Sequence, residues 1–471
     1  MSTIINTNVS ESRSVARVWI EGNKLACAGV EIGISYMARL NDQLGRIELV
    51  PAPADFKGKT YTVSKRTLKE RIYPLLEIRD DMLIKLFKVG TKVRVAIQNG
   101  RIVITASHIA QRVKERVDRF INKIKNREPL STTSLFHGGG ILDKALHAGF
   151  KKLQLDSVVN IAIEFDGQYL DSSIRNNPEL FSKESTFICG DIREINLMGS
   201  NFPTSEILTA GIPCTGASLS GKAKNGLSNA EEHNDAGDLF FHFLNFVKAL
   251  NPVIIVIENV VEYLKSVSMT VIRKVLSGLG YVFSEETLSG FEHGSLENRY
   301  RMCLVASTPG ACDPIDFSNI EIARTREAKV ADILDDIPAS SSRWKTYSYL
   351  ADKAVRDKAA GKGFARQLLT GDEDHFGVIG AGYAKARSTE PFIIAKHDPN
   401  LSRLLNVPEH ARGKTIPESA VEGLSDTKAH EVLGQSVIFC VFVAVGLLIA
   451  KTIKGMFRQE LTSEETAVLV A

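Results

Sequence analysis

Several short stretches of the chain hold residue types that do covalent and acid–base chemistry. In AGIPCTGAS, Pro213-Cys214 ends an apolar run and is flanked by Gly211, Gly216 and Ser218. Proline fixes its own backbone, so a cysteine directly behind it is presented rigidly, and a thiol so placed can act as a nucleophile. The commoner fate of a free cysteine is burial as a small apolar residue. VIIVIENV delivers Glu258 and Asn259 from an apolar run to the same edge, and ENRYR carries Arg299 and Arg301, two apart and so on one face of a strand. A second set suits a ligand. SLFHGGG (134–140) is a strand running into glycines and then a helix, a turn in which backbone N–H groups can meet a ligand. Glu164 in IAIEFD ends the next strand, where a carboxylate can take both hydroxyls of a ribose. Asp191 in FICGDI ends the third and can accept from an adenine amino group. Singly, Glu164 and Asp191 also read as ordinary exposed acids; together with the glycines they suit an adenosine-containing cofactor.

These residues need a frame that brings strand ends together. After Leu130, strand-like runs (TTSLF, VVNIAIEF, TFICG, SEILTAGIP, PVIIVIENV, MCLVAS) alternate with helix-length stretches such as 142–149 and 239–250. That order predicts an α/β fold, a mostly parallel sheet with helices on both faces and ligands beyond the carboxyl ends of its strands. The 471 residues allow about three domains. At 44% hydrophobic and 24% charged, the composition excludes a disordered or collagen-like chain. Lys and Arg number 58 against 55 Asp and Glu, so any nucleic-acid footprint must be local. Six cysteines form no C-x-x-C pair, which argues against a zinc ribbon or a disulfide framework, and no metal site is expected. The polar start MSTIINTNVSESRS shows no secretory signal, so a cytoplasmic setting is expected. Val437–Ala450 is nearly all apolar but shorter than the about 20 residues of a membrane span, and Lys451 and Lys454 close it; a core helix is expected, and no membrane.

In this order the motifs resemble one family, the cytosine carbon-5 DNA methyltransferases that use S-adenosylmethionine. The resemblance covers about residues 131–451: the glycine motif, Pro213-Cys214, Glu258-Asn259-Val260, the R-x-R pair, RLLNVPEHARG, and GQSV at 434–437. It implies a Rossmann-like methyltransferase sheet with an inserted target-recognition domain, double-stranded DNA as partner and a flipped-out cytosine as target. A cognate restriction endonuclease is a further partner that it suggests. Cys214 would attack carbon 6, with Arg299 favouring the thiolate. Glu258 would hydrogen-bond the ring at N3 and the exocyclic amine, Arg301 would hold O2 and Glu258, and Asn259 would order the Pro213-Cys214 loop. For the cofactor it implies Phe136, Gly138 and Gly140 at the methionine part and Glu164 at the ribose. Phe165, Asp191 and Ile192 would sit at the adenine, with Pro213, Gln435 and Ser436 completing the pocket. Two departures stand out: the glycine motif is one residue short, and Glu297 stands where the family usually has Gln.

The flanking regions carry less chemistry. Residues 1–106 read as short strands in two glycine-punctuated copies, 25–47 and 82–104, too small to bury a core separately and so expected to pack on each other. The second copy resembles AbrB-like and SymE-like swapped-hairpin modules, for which DNA binding and dimerisation are both open. Residues 107–130 read as a basic linker helix, 131–307 as the catalytic domain, 308–400 as target recognition and 401–471 as the catalytic domain's last part. Seven basic residues between Arg343 and Arg366 outnumber Asp352 and Asp357, and Tyr347, Tyr349 and Gly380–Tyr383 are expected in recognition loops. Two rivals remain: a tRNA substrate, and a DNA-binding regulator with a relic catalytic domain.

Overall fold

The computed structural model describes residues 1–68, 70–197, 202–213, 231, 236–322, 324–361 and 365–469, with side chains described as far as 457. The chain divides into two units, Met1–Glu115 and Arg116–Ala471.

Strands in the first unit are β1 (Ser2–Asn8), β2 (Ser10–Ser12), β3 (Val15–Glu21), β4 (Ser35–Asn41), β5 (Arg46–Pro51), β6 (Thr60–Thr62), β7 (Ser64–Leu68), β8 (Arg71–Arg79), β9 (Lys92–Gln98) and β10 (Arg101–Ala106). They form a six-stranded sheet, β1-β9-β10-β5-β4-β6, and a four-stranded sheet, β2-β3-β8-β7. The two copies, each with the strand that precedes it, share both sheets: β3 pairs with β8, and β5 with β10. In each copy a strand leads through a short helix (Asn23–Cys27, Met82–Leu86) to a glycine at φ +92° (Gly33) or +90° (Gly90) and then a hairpin. Period-two alternation turns Val18, Ile20, Ile47, Leu49, Val93, Val95, Ile102 and Ile104 into one shared core. The polar start of the chain is itself a strand, because β1 pairs along its whole length with β9.

In the second unit the helix His108–Asn126, expected as a linker, packs as part of the fold from Arg116 onward. Phe120 is buried, and Arg119 and Lys123 both reach Glu206 at 2.8 Å. Burial pushes the Glu206 carboxyl up, but hydrogen bonds from Lys123 and Ser131 outweigh it and hold its pKa below the ordinary value.

The second unit's main strands are β11 (Leu130–Leu135), β12 (Ser157–Glu164), β13 (Thr186–Cys189), β14 (Ile207–Gly211), β15 (Ile254–Asn259), β16 (Val282–Ser289) and β17 (Tyr300–Ser307). They lie in the order β13-β12-β11-β14-β15-β17-β16. The first five are parallel, and β17 runs antiparallel between β15 and β16. Both faces are covered, as the apolar runs require: Ile254 and Val256 of β15 face one core cluster, Ile255 and Ile257 the other. Strand β11, LSTTSL, is polar and yet buried, because each hydroxyl is bonded: Ser131 to Glu206, Thr132 to His147, Thr133 to Ser205 and Ser134 to Asp143.

The apolar 437–450 run lies in and just before the helix Phe439–Leu469. By length and composition Phe439–Phe457 could cross a membrane, but 67% of that window is buried inside the protein. It packs on the helix Ile141–Lys151 so closely that a Cβ on Gly446 would lie 2.3 Å from the Leu146 carbonyl oxygen, and one on Gly149 2.3 Å from that of Val443.

Within 308–400 and just beyond, β18 (Gln367–Leu369), β19 (Pro391–Ile394) and β20 (Ser402–Arg403) form a small sheet over Val330, Ile333, Phe376 and Ile379. Tyr383, expected in a recognition loop, is instead fully buried and donates to the Pro391 carbonyl at 2.7 Å. The cause is close packing: Gly380 lies so near the helix Asp426–Gln435 that a Cβ on Gly434 would come within 2.4 Å of it. The local basic excess is partly neutralised, since Arg343 pairs with Asp426 and Lys353 with Asp357.

Candidate active site

The parallel strands bring five of the six sequence motifs to one edge. β17 runs the opposite way, so its beginning, not its end, lies there. Register places Gly211 opposite Glu258, and Glu258 opposite Cys303. Arg301, two residues before Cys303, is therefore on the Glu258 face, and its Nε lies 3.0 Å from Glu258 Oε1. Asn259, 2% exposed, donates from Nδ2 to the Ile212 carbonyl at 3.0 Å, and its Oδ1 accepts from the Val260 N–H. It thus anchors the backbone just before Pro213. Cys214 itself lies outside the described residues.

Glu258 is almost enclosed. Burial raises its pKa even though Arg301, Arg299 and Lys414 all favour the carboxylate. Arg299 is 4% exposed and reaches inward, to Glu297 Oε1 at 3.5 Å and the Ile379 carbonyl at 3.4 Å. Sequence reasoning missed what lies behind it. Lys414, wholly buried, contacts the same Glu297 oxygen at 3.0 Å. Burial first, and Arg299 second, draw the Lys414 pKa down to about 7 against the pull of Glu297.

The glycine turn forms the wall of an open cleft that runs from Phe136 and Gly138 past Tyr169 and Gln435 to Glu258. Phe136 is left-handed at φ +58°, a strained state for an aromatic residue. Gly138, also left-handed, has nothing within 4 Å of a would-be Cβ, so ligand space begins there. At Gly140 a Cβ would strike Ser173 Oγ at 2.3 Å. Beneath the turn, Asp143 accepts from Ser134 and Thr209 at 2.6 Å and faces His137 Nδ1 at 3.0 Å, and the other ring nitrogen of His137 meets Ser173 Oγ at 2.8 Å.

Glu164 accepts the Gly138 N–H at 2.7 Å and the Asp166 N–H at 2.9 Å, and a carboxylate has lone pairs to spare for two hydroxyls. Phe165 next to it is 75% exposed, a flat apolar surface where a purine can stack. Asp191 is engaged by Arg193, through the backbone N–H and the guanidinium, both at 2.9 Å; Ile192 is buried. Gln435 and Ser436 line the cleft from the end of the helix Asp426–Gln435. Gln435 donates to the Tyr169 hydroxyl at 3.1 Å, a lining residue that no motif marked.

The second unit also holds three histidines that burial keeps neutral: His147 and His430, lowered to about 4, and His410, lowered well below its ordinary value. His410 and His430 stack, with Nδ1 atoms 3.0 Å apart. Unfolded, each binds a proton as pH falls through about 6.5; folded, each resists until far lower. The unfolded state therefore holds more protons in that window, and stability falls as pH drops from 6.5 to 4. Urea denaturation at pH 7, 6 and 5 should show that decline, and a flat profile would refute the neutral, buried assignment.

A five-strand parallel half, an antiparallel β17 inserted before β16, a glycine turn after the first strand and an acid after the second make up the sheet of an S-adenosylmethionine-dependent methyltransferase. The C-5 cytosine-specific DNA methylase family matches residues 130–454, and the chain belongs to that family, whose chemistry is methylation of DNA cytosine. Membership implies S-adenosylmethionine as methyl source. Type II methyltransferase M.NlaX of Neisseria lactamica is 29% identical over 266 residues, 55% of this chain and 79% of that protein. M.SsoII of Shigella sonnei is 25% identical over 272 residues, 56% and 68% of the two chains. Among solved structures, the S. pombe Dnmt2 methyltransferase superposes with TM-score 0.53 at 18% identity, over 69% of this chain and 99% of that one. Entamoeba histolytica methyltransferase EhMeth gives 0.53 at 16% identity, over 68% and 98%. Those two likenesses show the fold.

Proposed function

We propose that the protein methylates carbon 5 of a cytosine flipped out of double-stranded DNA, through a covalent bond between Cys214 and carbon 6. The observation that carries this is the edge where Arg301 grips Glu258 and Asn259 ties down the chain before Pro213-Cys214. A flipped base is needed because carbon 6 is shielded in the stack. The Cys214 thiolate adds to carbon 6, and the electron pair of the 5,6 double bond moves to carbon 5, which becomes nucleophilic. Glu258, whose buried carboxyl holds its proton above the ordinary range, donates to N3 as negative charge builds in the ring. Arg301 binds O2 and fixes the Glu258 carboxyl in place, and Arg299 adds positive potential to the same edge. When bound, S-adenosylmethionine supplies an electrophilic methyl group. Loss of the carbon-5 proton to water then restores the double bond and expels Cys214 as thiolate, and the N3 proton returns to Glu258.

The residues present fit that cofactor. Phe136 and Gly138 would leave room for its methionine part, whereas Gly140, expected there too, packs against Ser173 and His137 and shapes the turn from behind; Glu164 would take the ribose hydroxyls. Phe165, Asp191 and Ile192 would hold the adenine, and Pro213, Gln435 and Ser436 would close the cleft. Glu164→Ala or Asp191→Ala should weaken S-adenosylmethionine binding by about 1–3 kcal/mol. Glu164 should stand at the upper end, because it also holds the Gly138 N–H. Calorimetry with unchanged affinity in both variants would put the adenosine site elsewhere.

Target bases would be read by the 308–400 segment, and the relatives' Type II names favour a modification role opposite a restriction endonuclease. Transfer of tritium from labelled cofactor to duplex DNA and to tRNA tests the substrate. Label on DNA is expected, and label on tRNA alone would overturn the assignment.

A further inference from the structure

The net charge of the chain hides an uneven distribution. Residues 1–115 hold 19 Lys and Arg against 11 Asp and Glu, while the remainder holds 39 against 44. The small unit is therefore strongly basic and the catalytic unit mildly acidic. Within the small unit the excess is concentrated on one surface. The strands of the six-stranded sheet contain five basic residues, Arg39, Arg46, Lys92, Arg94 and Arg101, and one acid, Glu48.

Alternation puts all six on the same side. Val93, Val95, Ile97, Ile102, Ile104, Ile47 and Leu49 fill the core, so Lys92, Arg94, Arg101, Arg46 and Glu48 point away from it. Register confirms the array: Arg94 stands opposite Asn6 on β1 and Thr105 on β10, Thr105 opposite Arg46, and Arg46 opposite Asn41. Arg39 stands opposite Glu48 one row along. Glu48 is engaged by Arg46 and Arg101. Among the described residues, Arg39, Lys92 and Arg94 have no carboxylate partner, and all three are exposed. The four-stranded sheet carries a smaller excess, five basic residues to three acids, and its outward Arg17 and Arg66 are matched by Glu77 and Glu21.

We propose that the outer face of the six-stranded sheet, centred on Arg39, Lys92 and Arg94, is a second DNA-contacting surface that grips duplex phosphates independently of base sequence. A polyanion is the complement of an uncompensated basic array. Arg94 and Arg46, two strands apart, sit roughly 10 Å from each other, a span close to the about 12 Å width of a major groove. The short neighbours Asn6, Asn41 and Thr105 can add hydrogen bonds to phosphate without blocking approach. The inference rests on duplex DNA being the substrate.

The test uses the full-length Arg39→Gln/Lys92→Gln/Arg94→Gln variant and a nonspecific duplex, with affinity measured by fluorescence anisotropy from 50 to 200 mM salt. Losing three phosphate contacts should flatten the log–log salt slope by about 2.7, so the wild type loses some 40-fold more affinity than the variant across that range. The Arg17→Gln/Arg66→Gln variant should keep the wild-type slope. Single-turnover methylation at saturating DNA should stay within about twofold of wild type in both. An unchanged slope in the triple variant, with wild-type binding intact, overturns this surface alone. Loss of self-association in the triple variant with DNA affinity unchanged overturns it in favour of a contact between copies. A wild type with no affinity for duplex DNA overturns the substrate reading as well.

Discussion

Cys214→Ser should abolish methyl transfer, by on the order of 10⁴ to 10⁶-fold, the scale seen when the nucleophile of a covalent catalyst is removed. Binding of DNA and S-adenosylmethionine should persist, because serine differs from cysteine by one atom and Asn259 still anchors the Ile212 carbonyl. Among the described residues, the thiol that faces Glu258 in the sheet cannot take over. Cys303, opposite Glu258 in the sheet, is fully buried, and burial first and Glu258 second push its thiol far above the ordinary range, away from thiolate. A duplex carrying 5-fluorocytosine should trap the wild type covalently, since fluorine cannot leave carbon 5 as a proton does, and should leave the serine variant free. Turnover by the variant, or trapping of it, would remove Cys214 from the chemistry.

The second large effect is expected at Glu297 and Lys414. The Glu297 N–H donates to the Gly413 carbonyl, so the two segments are zipped together where the charges meet. Lys414→Met should destabilise the catalytic unit by roughly 3 kcal/mol, because a buried carboxylate loses a partner. Glu297→Gln alone should do less harm, since a lysine already drawn down to about 7 can shed its proton. Glu297→Gln/Lys414→Met together should recover most of the loss, as two uncharged groups replace an ion pair. Purely additive losses in a denaturation cycle would rule out the coupling. The sign with pH follows from linkage. The unfolded lysine keeps its proton up to about 10.5 and the folded one only to about 7, so the unfolded state binds more protons between those values. Stability gains a rising component with pH across that window, which Lys414→Met should remove.

How much of this was legible in the sequence depended on whether the deciding partner was local. The strands of the large sheet are buried on both faces, so β12, β14, β15 and β17 announce themselves as near-continuous apolar runs. Glycine turns and acids at strand ends are local signals too, and Glu164, Glu258, Asn259 and Arg301 meet at the expected edge. Asp191 is reached by Arg193 two residues away, a competitor that no strand-end rule reveals. The polar β1 reads as a tail until β9, some ninety residues later, offers it a ladder. Glu297 was visible only as a departure from a family pattern; its meaning lies with Lys414, a lysine in an unremarkable helix end. Tyr383 looked like a loop aromatic because nothing nearby shows that Gly380 and Gly434 touch.

The close fit of Gly149 and Gly446 has a consequence for how the chain is made. The two glycines are roughly 300 residues apart, which at translation rates of about 5–20 residues per second is about 15–60 s of synthesis. Through that interval the helix Ile141–Lys151 has left the ribosome without the helix Phe439–Leu469 that covers it. The small basic unit is complete long before, since its sheets use only residues up to Ala106. The nascent chain thus carries a finished charged module ahead of a catalytic sheet whose apolar flank is still bare. A truncation that stops short of residue 450 reproduces this half-made state and should collect in inclusion bodies.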